Sequence, residues 1–235
     1  AGQTMTLALN DGTSNPTATS GTDYTNTLQY WDGSAWQTYS SAFTVPGSSN
    51  AAVSLYVRVA VTNDTTFESA EDFKLTAAYT SGASRTAEGV ATIVDNGTGT
   101  NYPGTITGVS LDSNTTSLND DRQLSVNSIT VNEGGGYAVF TVSANAGQTM
   151  TLALNVGTSN PPATSGTDYT NVLEYWDGSA WQTYSSAFTV PGSSNAAVSL
   201  YVRVAVTNDS TFENAEDFKL TAAYTSGASR TAEGV

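Results

Sequence analysis

Four carboxylates fall within nine residues in the stretch Asn63-Asp64-Thr65-Thr66-Phe67-Glu68-Ser69-Ala70-Glu71-Asp72-Phe73. The same spacing returns at Asn208-Asp209-Ser210-Thr211-Phe212-Glu213-Asn214-Ala215-Glu216-Asp217-Phe218. Most of the remaining chain is Ser, Thr, Gly, Ala and Val. A valine-rich segment precedes each acidic stretch and an alternating segment follows it, so each reads as a loop between two strands. Carboxylates crowded on one loop repel one another, and oxygen-only ligands suit a hard cation, calcium best of all. The chain has no cysteine and no histidine, which removes thiolate sites, disulfides, the commonest general base and the usual zinc ligand. Glu68 with Glu71, or Asp23 with Asp64, could imitate the carboxylate pair of a glycosidase. A catalytic acid, however, needs a shielded cleft to raise its pKa, and nothing in the sequence builds one, so no enzymatic activity is expected.

The elements that must position these loops come twice. Residues 1–90 align without gaps to residues 146–235, an offset of 145, with six differences: Asp11/Val156, Thr17/Pro162, Thr27/Val172, Gln29/Glu174, Thr65/Ser210 and Ser69/Asn214. This period is too long for a solenoid unit and describes an array of whole domains. The expected organisation is a first unit over 1–96, an acidic Gly/Thr/Ser/Asn-rich connecting segment over 97–126, and a second unit over 127–235. The first copy lacks a counterpart of Asn127–Asn145 and the second lacks one of Ala91–Asn96. The chain is therefore expected to be a piece that begins inside a repeat, each sandwich cut at one end, with edge-strand association there.

Local pattern is β throughout. Thr4–Leu9 alternates; Leu55, Val57, Val59 and Val61 share one strand face; Phe73, Leu75, Ala77 and Tyr79 share another. Ala91–Val94 reads as a short last strand ending in Asp95-Asn96-Gly97. Ser128–Val131 and Tyr137–Val142 flank Glu133-Gly134-Gly135-Gly136, a turn or bulge. Thr105–Leu111 is a candidate short strand in the connection. Trp31-Asp32-Gly33-Ser34-Ala35-Trp36, repeated at Trp176–Trp181, predicts a hairpin tip with its tryptophans paired across the strands. Such a pair stabilises a hairpin, and exposed indoles can also stack on sugar rings. Some seven strands per hundred residues with turn signals between them predict an all-β fold of two tandem immunoglobulin-like sandwiches.

The formal charge is −14, from 21 acidic and 7 basic residues. That argues against nucleic acid, whose phosphates need Lys and Arg, and against an anionic membrane surface. No apolar run approaches membrane-spanning length, so no membrane insertion is expected.

Taken in order, Asn132-Glu133-Gly134-Gly135, Ala163-Thr164-Ser165-Gly166-Thr167-Asp168-Tyr169 (matching Ala18–Tyr24), Phe43-Thr44-Val45-Pro46-Gly47, the valine strand, the acidic stretch and Ala91-Thr92-Ile93-Val94-Asp95-Asn96 resemble the Calx-beta domain. This is an immunoglobulin-like sandwich found in sodium/calcium exchangers and large bacterial surface proteins. The near-identical tandem and the Thr/Ser/Gly bias are similar to the extender region of giant RTX adhesins. The resemblance implies calcium ligands at the end of the sandwich where the chain exits. In the first unit these are Asp23, Asp64, the carbonyl of Thr66, Glu68, Glu71 and Asp95. In the second they are Glu133, Asp168, Asp209, the carbonyl of Thr211, Glu213 and Glu216. The first set lacks the early Glu and the second lacks the final Asp. A weaker candidate patch, Asp112, Asn114, Asp120 and Asp121, lies in the connection. The expected role is a calcium-stiffened spacer of an extracellular, cell-surface adhesin, partnered by neighbouring repeats of the same chain; the alternative is a carbohydrate-binding module using the Trp hairpins.

Overall fold

The structure is a computed structural model that describes residues 1–100 and 118–235, together with the backbone of two short strands at 105–106 and 109–110. Asp112 and Asn114 lie outside the described residues. The chain divides into two compact units, Ala1–Asn119 and Asp120–Val235.

The first unit holds β1 (Thr4–Asp11), β2 (Gln29–Trp31), β3 (Trp36–Thr38), β4 (Phe43–Thr44), β5 (Val57–Arg58), β6 (Glu71–Tyr79) and β7 (Arg85–Ile93), followed by the short antiparallel pair β8 (Thr105–Ile106) and β9 (Val109–Ser110). One sheet has the order β4-β1-β6-β7 and the other β3-β2-β5. The second unit holds β10 (Leu124–Val126), β11 (Tyr137–Asn145), β12 (Thr149–Val156), β13 (Tyr169–Trp176), β14 (Trp181–Thr183), β15 (Phe188–Thr189), β16 (Ala197–Val206), β17 (Phe218–Tyr224) and β18 (Arg230–Gly234). Its sheets run β10-β11-β16-β13-β14 and β15-β12-β17-β18. All pairings between these strands are antiparallel.

Alternation explains which residues are inside. In β16, Leu200, Val202 and Val204 are buried while Tyr201 between them is exposed, as the two-residue period of a strand requires. Ala138, Phe140, Val142 and Ala144 of the neighbouring β11 lie beside them, and with Met150, Leu152, Leu220, Ala222 and Tyr224 of the other sheet they form one continuous core. Among the described residues the first unit shows no counterpart of β10 and β11, and its buried cluster shrinks to Ala18, Tyr24 and Phe73 with Leu9, Val59 and Ile93 against it. The same ten residues that form a strand in the second unit give only Val57–Arg58 in the first. An identical sequence thus takes different lengths of strand according to whether a neighbour offers it hydrogen bonds.

Three boundaries differ from expectation. The connecting segment 97–126 is not one body: Asp120 onward belongs to the second unit, and β10 pairs with β11 in register Leu124↔Ala144. Ala91–Val94 is not a separate strand but the end of nine-residue β7, so the second unit does not lack its last strand; it carries a shorter one, β18. Ser128–Val131 forms no strand; the amide of Ile129 instead donates to the carbonyl of Val235 at 2.7 Å.

Candidate calcium-binding corner

Three segments bring the acidic residues of the first unit together. The turn at Thr19–Tyr24 closes on itself: the amide of Asp23 donates to the carbonyl of Thr19 at 2.9 Å, and the Asp23 carboxylate accepts from the amide of Thr19 at 2.5 Å. Tyr24, next in sequence, stacks on Phe73 of β6 with centroids 4.4 Å apart, which places Asp23 beside the start of that strand. Asp23 and Glu71 are both buried. The acidic loop supplies the rest. Asp64 accepts from the amide of Thr66 at 2.7 Å, a local turn, and the amide of Glu68 donates to Asp95 at 3.3 Å. Asp95 lies two residues past the end of β7, so the chain leaving that strand ties the loop down.

The second unit repeats the corner with one exchange. Asp168 accepts from the amide of Thr164 at 2.5 Å, Tyr169 stacks on Phe218 at 4.4 Å, and Asp209 accepts from the amide of Thr211 at 2.6 Å. Glu133 sits in a short 3₁₀ turn capped by Asn132 and accepts from the amide of Asp209 at 2.6 Å. The corner opens on a cleft of about 520 Å³ whose lining includes the acidic Glu133, Asp168, Glu213 and Glu216 and the apolar Ile129, Ala163, Tyr169 and Phe218.

The charges feel one another. Burial, then a hydrogen bond to Asp23, then the charges of Asp23 and Glu68 push the Glu71 carboxyl up to about 7. Burial and the charges of Asp23 and Asp64 raise Glu68. In the second unit burial raises Glu213 together with Asp168, Asp209 and Glu133, and it raises Glu216 together with Asp168 and Glu213. These are the two causes expected where carboxylates are brought close together. Several of the predicted ligands therefore act on one another's charge in each unit. Among the described residues, no group of three closes into a set that could hold a metal ion. Like charges hold apart, and Glu71 with Asp23, like Glu216 with Asp168, is joined through a hydrogen bond. As donors the residues fit calcium well: oxygen only, mostly carboxylate, and drawn from separate loops.

This linkage has a testable sign. The folded pKa of Glu71 lies above its ordinary value, so its contribution to stability is complete below about pH 4.5 and is lost as pH rises through about 7. In chelator, the melting temperature of the first unit is expected to fall between pH 5 and pH 8, and Glu71→Gln should flatten that slope. Thermal melts across this range measure it; the same slope in the variant would remove Glu71 from the account.

Asp72 and Asp217, counted with the acidic stretch, are turned away from the corner. Neighbours in a strand point to opposite faces, and Asp72 accepts from the amides of Thr13 and Ser14 at 2.7 Å and from both hydroxyls. The Ser14 and Thr13 hydrogen bonds hold its carboxyl down at about 2. A Cβ on Gly12 would lie 2.2 Å from the Asp72 carbonyl oxygen, so this loop seats against β6 only with glycine there. Asp120 is committed elsewhere too. It pairs with Arg122 at 2.7 Å and with Arg230 at 3.7 Å. Asp121 is half-buried in the second unit.

The Trp hairpins form as predicted, Trp31 opposite Trp36 and Trp176 opposite Trp181, each pair edge to face at 5.6 Å. Arg203 lies over the faces of both Trp181 and Tyr137 at 4.1 Å and pairs with Glu174 at 2.7 Å; Arg58 lies over Trp36 at 4.2 Å. An indole face covered by the protein's own guanidinium is spent on holding the hairpin to the sheet. That contact was not read from the sequence, although Glu174 and Arg203 are register partners across β13 and β16.

An all-β sandwich with an acidic corner built from separate loops defines a class of immunoglobulin-like modules. Within it, the chain matches the Calx-beta domain over residues 48–97, 119–182 and 193–232, well over half its length, and it belongs to that family. Calx-beta is a non-catalytic family in which calcium binding is general. No curated protein and no solved structure matches the chain. Among the described residues, no helix is long and apolar enough to cross a membrane.

Proposed function

We propose that this chain is a stretch of calcium-stiffened spacer from an extracellular bacterial adhesin, projecting a distal binding domain from the cell surface, with neighbouring repeats of the same chain as its partners. The observation that carries this reading is the corner itself: carboxylates from separate segments, short of counter-charge, in each of two near-identical units. The corner also reaches the segment that leads on to the second unit. The amide of Gly97 donates to the carbonyl of Asn119 at 2.7 Å, and the Asn119 amide group donates to Asn63, next to Asp64, at 2.5 Å. A cation that draws Asp64 towards Glu68, Glu71 and Asp95 would stiffen this anchorage. Covered indole faces favour a structural role for the Trp hairpins over sugar stacking.

Small-angle scattering tests the reading. The distribution of intramolecular distances is expected to narrow and its maximum to lengthen in millimolar calcium relative to EDTA. Superimposable profiles would refute a calcium-stiffened spacer.

A further inference from the structure

Asn96-Gly97 is the one Asn-Gly pair in the sequence, and it follows directly on Asp95 of the first corner. An asparagine before glycine is prone to lose its side-chain amide, because no side chain on the glycine hinders attack by that residue's own backbone nitrogen. The fold calls for glycine here: Gly97 has a φ of 73°, in the left-handed region that other residues reach only with strain. Both residues are half-buried and so within reach of water. Their surroundings act in two opposite directions. The side-chain oxygen of Asn96 accepts from the amide of Thr98 at 3.1 Å and from the Thr98 hydroxyl, and these donors draw electron density from the carbon that would be attacked. The Gly97 amide, however, donates to the Asn119 carbonyl at 2.7 Å, and a bonded amide keeps its proton until the bond opens. The Asn119 side chain is tied in turn to Asn63 at 2.5 Å.

We propose that Asn96 is a site of spontaneous deamidation, primed at its side-chain carbon and gated by the hydrogen bond from Gly97 to Asn119. When that bond opens, base removes the Gly97 amide proton. The nitrogen then bonds to Cγ of Asn96, the Cγ–Nδ2 bond breaks, and Nδ2 leaves as ammonia. Water opens the resulting succinimide ring at either carbonyl and gives aspartate or isoaspartate. The balance is asparagine plus water to aspartate plus ammonia, and no enzyme or metal ion takes part. Either product sets a new carboxylate beside Asp95, which already accepts from the amide of Glu68 in a corner where like charges act on Glu68 and Glu71. Isoaspartate also adds a carbon to the backbone between Asp95 and Gly97, which moves the Gly97 amide off the Asn119 carbonyl. The conversion therefore runs one way, and each event loosens the anchorage that delayed it. It stands on that anchorage alone and not on the calcium reading.

The test is run in EDTA, so that it stands apart from any metal. The 235-residue chain and a capped peptide spanning Val94–Gly99 are incubated side by side at mildly alkaline pH. Peptide mapping reads conversion at Asn96 as a gain of one dalton, with isoaspartate separated by its shifted retention. Exchange of the Gly97 amide is followed by NMR in the same samples. Conversion in the folded chain is expected to be at least about tenfold slower than in the peptide, the protection of a closed hydrogen bond. Asn63→Ala and Asn119→Ala each cut the side-chain tie, and should speed Gly97 exchange and Asn96 conversion by the same factor. Asn96→Gln, whose longer side chain would have to close a larger ring, should show no conversion on this timescale. Equal rates in the chain and the peptide overturn the proposal. So does faster Gly97 exchange in either variant without faster conversion, or exchange unchanged in both.

Discussion

Removing calcium is expected to lower the melting temperature of both units by on the order of 10–20 °C. An ion that binds only the folded state stabilises it by mass action, by about 4 kcal/mol when present at a thousandfold excess over its dissociation constant, and a unit of this size shifts by several degrees per kcal/mol. The physical source is the corner: Glu71 raised to about 7, and Glu68, Glu213 and Glu216 raised with it, all from burial and mutual repulsion. A bound calcium ion would offset that repulsion with a shared positive charge. Magnesium should restore little, because it dehydrates reluctantly and demands near-ideal octahedral geometry. Glu71→Gln should abolish the calcium response of the first unit while leaving its calcium-free melting temperature unchanged or higher, since a repelling charge is gone; Glu216→Gln should do the same in the second. Calorimetric scans in calcium, magnesium and EDTA read all of this. Identical curves in calcium and EDTA would defeat the metal-binding reading.

The reach of the sequence can be judged from particular residues. The alternation read at Leu55, Val57 and Val59 holds at their counterparts Leu200, Val202 and Val204, which form a core strand, because a two-residue period is a local property. The same residues at Leu55, Val57 and Val59 promised an equal strand and gave a two-residue one, because strand length depends on a partner elsewhere in the chain. The Trp31–Trp36 pairing followed from a short turn with Asp32 at its start, whose carboxylate accepts from the amides of Ser34 and Ala35 at 2.8 Å. The acidic corner was legible through the family's motif order, which linked Asp23, Glu71 and Asp95 across some seventy residues of sequence. That Phe67 is buried and Phe212 exposed was not legible, since their local sequences are nearly the same; it arises from the end of β7. Least legible was the polar connection, where Asp120 was read with Asp112, Asn114 and Asp121 as a weak metal patch. No local pattern says that an arginine two residues on will be fully buried.

Arg122→Ala is accordingly expected to cost the second unit about 3–5 kcal/mol, the usual penalty for breaking a buried ion pair from one side. Arg122 is 0% exposed. Its guanidinium donates to both Asp120 oxygens at 2.7 and 2.8 Å and to the Ala228 carbonyl at 2.8 Å, donates also to the Ser226 carbonyl, and lies 5.1 Å from the Tyr224 ring centroid. Tyr224 continues the network: its hydroxyl donates to the Gln123 carbonyl at 2.6 Å and accepts from the Asn145 amide at 2.7 Å. Truncating the side chain leaves a cavity, two bare carbonyls and a half-buried Asp120 that keeps the backbone amide of residue 122 at 3.3 Å and its longer contact with Arg230. Burial works to raise Asp120, but its hydrogen bonds and charge pairing with Arg122 outweigh this and hold its carboxyl below the ordinary range. The stability it contributes is therefore present above the normal Asp pKa and is lost as pH falls through the depressed value. Arg122→Ala should weaken that acid sensitivity as well as lower the midpoint. Asp120→Ala combined with Arg122→Ala should cost less than the two added, because the second loss removes the charge that the first left stranded. Urea unfolding followed by hydrogen exchange separates the units: protection should fall in β10, β11 and β17 and stay unchanged in β1 and β6. A loss below about 1 kcal/mol, or strict additivity of the pair, would show that the guanidinium is well enough solvated in the folded state to need neither partner.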